Sequence, residues 1–212
     1  AERHQEVLNG RILMVYPDYI SHEYALLVQH AETQAVRRGY RLVNLKMKRD
    51  TCYSYLFEVV AATENLVGII VLPSGDLDGT VLRSLDDCGV GSVILRQRLN
   101  GGRWNHLHFV SPDYVQSGLL MVRHLLDRGH RGVAYVRNEP PIESSRLRYQ
   151  GIKQGLYEHG LRLRDLIRSP QVGEVWEDAG LYARESTRDV LRRSSAPTAF
   201  VYDSFHGALG GV

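Results

Sequence analysis

The 212-residue sequence holds two cysteines, Cys52 and Cys88, on separate helix-like segments and without the close spacing of a metal or redox site. They read as buried structural thiols. No apolar run approaches the length that spans a bilayer, and the first ten residues, AERHQEVLNG, lack the pattern of a signal peptide. Charge of one sign is not in excess either. Lys and Arg number 26 against 24 Asp and Glu, a net charge of +2, which argues against a nucleic-acid surface on this chain. A dinucleotide fingerprint needs glycines after the first strand, where the sequence reads YPDYISHEY with none. Phosphate-loop and G-x-S-x-G motifs are also missing, so nothing supports a cofactor-dependent or serine-nucleophile enzyme. Repeats of solenoid length and low-complexity tracts are absent.

What is present is alternation. Short β-branched or apolar runs predict strands at 11–16, 40–45, 67–72, 91–96, 106–110, 132–136 and 198–202. Most are nearly continuous apolar stretches, as strands buried on both faces of a parallel sheet require. Helical periodicity falls between them, near 21–38, 52–64, 77–88, 113–128, 144–159 and 176–193. Gly39, Gly89, Gly129 and Gly160 follow four of these helices as stop signals. The pattern is an α/β protein, doubly wound. One interruption breaks the rhythm: QRLNGGRWN joins two strands without a helix, and a second strand–helix series starts at Ser111. We therefore expect two lobes, 11–110 and 111–212, each a parallel sheet flanked by helices.

Ligands of open parallel sheets sit beyond the carboxyl ends of the strands, and two lobes facing each other would make a cleft. The residues after the strands are Pro17-Asp18-Tyr19, Pro73-Ser74-Gly75, Arg96-Gln97-Arg98, Arg137-Asn138-Glu139 and Asp203-Ser204, a polar set. Tyr24 and Trp176 either stack on a flat ligand ring or pack the starts of their helices. His106 and His108 share a strand face, but no third metal ligand is near them in sequence. Asp18, His22 and Glu23 mark a solvated helix start, and Arg184, Arg188, Arg192 and Arg193 a solvated basic stripe beside Glu185 and Asp189.

The segment ESSRLRYQGIKQGL, Glu143 to Leu156, has helical spacing yet carries Arg146 and Arg148 near its start, where the helix dipole disfavours cations. With GRILMVYPDYISHEYALLVQHAETQAVRRGYRL, VGIIVLPSG, HLLDRGHRGVAYV and APTAFVYDSFHGALG, this segment resembles the effector-binding core of the LacI/GalR transcription regulators, itself similar to periplasmic sugar-binding proteins. The resemblance runs along nearly the whole chain. It implies a two-lobed periplasmic-binding-protein-like fold with no catalytic residues, no metal and no cofactor. Arg148, three residues before Gly151, matches the arginine that reaches the effector in that family. Arg146, about 200° round the helix, faces elsewhere.

With Arg148, the expected ligand set is Tyr19, Ser21, Tyr24, Ser74, Arg96, Trp176 and Asp203. The family commonly has aspartate where Arg96 stands, and Asn-Asp in the stretch that here reads DSFHGALG. Two unpaired cations facing one cleft would favour an acidic or phosphorylated metabolite over a neutral sugar. The family's helix-turn-helix precedes the first strand. Residues 1–10 are accordingly expected to be a linker from a DNA-binding domain outside this chain, and the second lobe to be incomplete at its end. The resemblance further implies a homodimer built on the helix starting near Ser21, operator DNA reached through that other domain, no membrane partner and a cytoplasmic location. A solute-binding protein for a sugar or related small molecule is the alternative.

Overall fold

The computed structural model describes residues 9–18, 22–48, 53–97, 102–138, 142–162, 165–168 and 179–212. The chain divides into two compact units, Ala1–Ser111 and Pro112–Val212.

In the first unit the order is β1 (Gly10–Pro17), α1 (His22–Arg37), β2 (Tyr40–Met47), α2 (Ser54–Ala62), β3 (Leu66–Val71), α3 (Gly79–Asp87), β4 (Ser92–Leu95) and β5 (Leu107–Val110). The strands form one parallel sheet in the order β2-β1-β3-β4-β5. The apolar run of β1 explains why both faces are covered. Successive strand side chains point to opposite faces, so Leu13 and Val15 pack with Leu56 of α2 and Leu82 and Leu85 of α3. Met14, between them, packs with Tyr24 of α1 and Leu72. Each such burial is worth about 1.5–3 kcal/mol relative to exposure.

Caps set the helix ends. Asp78 opens α3 by accepting from the backbone N–H of Thr80 (2.7 Å) and Val81 (3.0 Å). The Val81 and Thr80 N–H groups hold its carboxyl below the ordinary range. Asp86, in the last turn of α3, accepts from the N–H of Asn105 (3.0 Å) and His106 (2.7 Å). It thereby ties down the residues just before β5, which pairs with β4.

The second unit comprises α4 (Tyr114–Asp127), β6 (Val133–Arg137), α5 (Glu143–Glu158), β7 (Asp165–Arg168), α6 (Ala179–Leu191), β8 (Ala199–Tyr202) and α7 (Phe205–Gly211). Its parallel sheet has the order β7-β6-β8. Val133, Tyr135, Ala199 and Val201 meet Val122 and Leu126 of α4 and Ile152 and Leu156 of α5 in one core. Helices α4 and α5 approach closely enough that a Cβ on Gly118 would strike the carbonyl oxygen of Arg148, and one on Gly151 the carbonyl oxygen of Val115. At the far end of α5, Gly160 takes φ 69°, and the N–H of Leu161 reaches the Leu156 oxygen (2.9 Å) to close the helix.

Two elements differ from the sequence-based expectation. β7 was not foreseen, because an edge strand needs no continuous apolar run and DLIR, between arginines, offers none. The strand expected at 91–96 ends at Leu95, since Arg96 turns into the left-handed region at φ 66°. Residues 176–178, expected to begin a helix, lie outside the described residues.

Candidate functional site

In the first unit the strand order reverses between β1 and β3, the place where open α/β sheets take ligands. A small pocket lies at these strand ends, lined among others by Tyr16, Pro17, Lys48, Tyr53, Pro73 and Ser74. Burial, then the nearby Asp78 charge, raises the Tyr53 pKa. Ser74 is half-buried. Tyr24 is buried in the first turn of α1, and its hydroxyl accepts from Arg96 Nη1 at 2.7 Å. The Arg96 guanidinium also lies 5.3 Å from the Tyr24 ring centroid and 3.9 Å from the Glu23 carboxylate. Gln97, next to it, is buried and exchanges two hydrogen bonds with the Leu77 backbone (2.9 and 3.0 Å), a structural clamp.

The second unit has its switch at β6, with β7 on one side and β8 on the other. The polar groups converge there. Asp203, just past β8, has a side chain with 0% exposure. It accepts from the Tyr135 hydroxyl and from Ser145 Oγ (3.0 and 3.1 Å to its two oxygens). Arg148 Nη1 donates to the Asp203 carbonyl oxygen (2.7 Å) and lies 3.4 Å from Oδ1. Its guanidinium is stacked over Tyr114, 5.5 Å from the ring centroid. Asn138, after β6, fixes the same corner by accepting from the Asp203 N–H (3.1 Å) and donating to Ser204 Oγ (3.0 Å). Desolvation raises the Asp203 pKa, opposed by Tyr135, Arg148 and Ser145. Burial, then the Asp203 charge, raises that of Tyr135.

Several expectations change on this geometry. α5 begins at Glu143, so Arg148 stands on its second turn, where the dipole has largely faded. Arg146 is exposed and Arg148 is turned inward, but toward Asp203. The premise of two unpaired cations does not hold, because Arg96 has Glu23 and Tyr24 and Arg148 has Asp203. Asp203, expected to meet the ligand, meets protein groups with its whole carboxylate. Tyr19, Ser21 and Trp176 lie outside the described residues, as does Cys52. Sequence reasoning missed Tyr135 and Ser145. Ser145 was nevertheless readable, since it precedes Arg148 by three positions and so shares its helix face.

The remaining candidates have local partners. Asp18 pairs at 3.8 Å with Lys46, both exposed, a contact worth little. Cys88 donates to the Ser84 carbonyl oxygen. Among the described residues no group of three or more His, Cys, Asp or Glu is placed to hold a metal ion. Among those residues, too, no helix is long and apolar enough to cross a membrane.

Comparison with known proteins fits this arrangement. Residues 122–212 match the periplasmic binding protein-like domain. Catabolite control protein A of Priestia megaterium is 27% identical over 203 residues, 94% of this chain and 58% of that protein. The chain spans a little over half the length of the curated relatives it matches. A LacI family transcriptional regulator from Enterococcus faecium, solved with bound ribose, shares the fold with a TM-score of 0.74 at 22% identity, covering 95% of this chain and 69% of that one. A periplasmic solute-binding protein of an ABC transporter from Actinobacillus succinogenes, with bound D-allose, gives 0.79 at 16% identity, covering 95% and 71%. Residues 122–212 thus match the periplasmic binding protein-like domain, and the chain as a whole is similar in sequence to Catabolite control protein A and in fold to LacI family regulators and a periplasmic solute-binding protein.

Proposed function

We propose that this chain is the ligand-sensing core of a transcription regulator, binding a small sugar or sugar derivative and passing that event, as a homodimer, to a DNA-reading domain of the same protein. The observation that carries the reading is Arg148. Its planar fork stands at the end of the second sheet, anchored by Nη1 to Asp203, while Nη2 has no hydrogen-bond partner among the described residues and is the donor we assign to ligand oxygens. Asp203, Tyr135 and Ser145 position that arginine and need not touch the ligand. Ser74, Tyr24 and Arg96 supply hydrogen-bonding groups at the strand ends of the first sheet, and Tyr19, Ser21 and Trp176 complete the proposed set. For a ligand to act as a signal it must prefer one conformation through such contacts.

Differential scanning fluorimetry against ribose, allose and other neutral sugars, sugar acids and sugar phosphates tests this. A true ligand stabilises by RT ln(1 + [L]/Kd), about 2.7 kcal/mol at a hundredfold excess over Kd, and stands clear of the panel. Arg148→Ala should abolish that response. A panel with no hit, or a hit indifferent to Arg148→Ala, sinks the assignment. The solute-binding alternative draws on the likeness to the allose-bound structure. Light scattering separates the two, because a regulator core should be dimeric and a solute-binding protein monomeric.

A further inference from the structure

We infer that Arg137, which stood outside the expected ligand set, forms with Arg148 an anion-recognising pair at the switch point of the second sheet, and that the ligand bears a phosphate or carboxylate. This deepens the ligand-sensing reading and rests on it. Arg137 is the last residue of β6, the central strand, so it stands where the strand order reverses. Its guanidinium lies 5.7 Å from the Tyr149 ring centroid, and Tyr149 is itself stacked on Tyr135 (5.7 Å, 11° between ring planes). That stacking fixes the arginine's orientation. The Arg137 Nε is buried with no hydrogen-bond partner among the described residues, and the arginine's charge reaches Asp203 only as the weakest of the influences that favour that carboxylate. Arg148 Nε is buried and unpartnered in the same sense.

An arginine that merely covered the surface would keep its donors in water. Here two guanidiniums are partly desolvated at one end of one sheet. The carboxylate near them, Asp203, already accepts two hydroxyls and one Arg148 donor, and it carries one charge against two. An anionic group answers both the surplus charge and the unused donors, because guanidinium binds phosphate and carboxylate through paired, charge-assisted hydrogen bonds.

The test is titration of the chain at constant ionic strength with inorganic phosphate, ribose 5-phosphate, ribonate and ribose. Arg137→Gln is the variant, Arg137→Lys keeps charge without the fork, and Arg192→Gln, exposed just past the end of α6, is the control. Circular dichroism checks that each is folded. The inference predicts that ribose 5-phosphate or ribonate binds more tightly than ribose, which of the two identifying the anion. It also predicts that Arg137→Gln weakens the anionic compound about tenfold or more, with ribose unchanged. Arg137→Lys should fall between, and Arg192→Gln should be silent. Equal binding of anionic compounds by wild type and Arg137→Gln, or an equal loss in Arg192→Gln, overturns it. Ribose binding that is lost only in Arg148→Ala would keep the sensor reading while this inference fails. Phosphate binding that depends on Arg137, with no response to any sugar compound, would uphold the anion pair while the sugar reading fails.

Discussion

Arg148 and Asp203 are coupled, so each changes what the loss of the other costs. Arg148→Ala leaves a buried carboxylate without its cation, and we expect a loss of about 3 kcal/mol near neutral pH, read from urea unfolding. Asp203 itself makes stability depend on pH. Its folded pKa lies above the ordinary value of 3.8 because burial disfavours the charge, so the folded chain binds this proton more readily than the unfolded one. The associated stability is fully present below the ordinary value and is lost as pH rises through the folded one. Asp203→Asn should therefore flatten the decline in stability that the wild type shows as pH rises above the ordinary carboxylate value. Identical profiles for the two would refute the assignment. The family resemblance made Arg148 readable, three residues before Gly151, whereas Ser145 was missed although its spacing puts it on the same helix face. Tyr135 and Asp203 were not readable as partners, because no local pattern ties residues that meet through strand pairing.

The crossing of α4 and α5 depends on what is missing from two side chains. Gly151→Ala would push a methyl group into backbone of α4, which cannot move aside as a flexible side chain can. We expect about 2 kcal/mol or more of destabilisation, measured by chemical denaturation. Gly160→Ala has nothing within 4 Å to strike and meets only the left-handed φ, so about 1 kcal/mol is expected. If the order of the two were reversed, the close packing of α4 on α5 would be the wrong account. Most elements were visible in the sequence because parallel strands covered on both faces must read as apolar runs, as RILMVY does. β7 escaped because it pairs on one side only. Arg96 escaped because a left-handed φ in a non-glycine residue is set by its surroundings, here the Val110 oxygen that its N–H reaches (2.7 Å) and the Tyr24 ring beneath its guanidinium.

With a net charge of +2 spread over mixed surfaces, the chain should not bind duplex DNA by itself at physiological salt. Fluorescence anisotropy with a labelled duplex checks this, and tight, salt-sensitive binding would contradict it. The order of assembly follows from the placement of Asp203. Tyr135 and Ser145 stand 68 and 58 residues before it. During synthesis the amino-terminal unit emerges first and can begin to fold by itself. Helices α4 and α5, being local, can form early, but Arg148 has no carboxylate to hold until β8 has been made and has docked on β6. Every shorter intermediate thus carries the arginines without the group that aims them. The proposed arginine pair is thus aimed only once β8 has docked on β6, so a ligand added to refolding chains would select molecules that have passed that step.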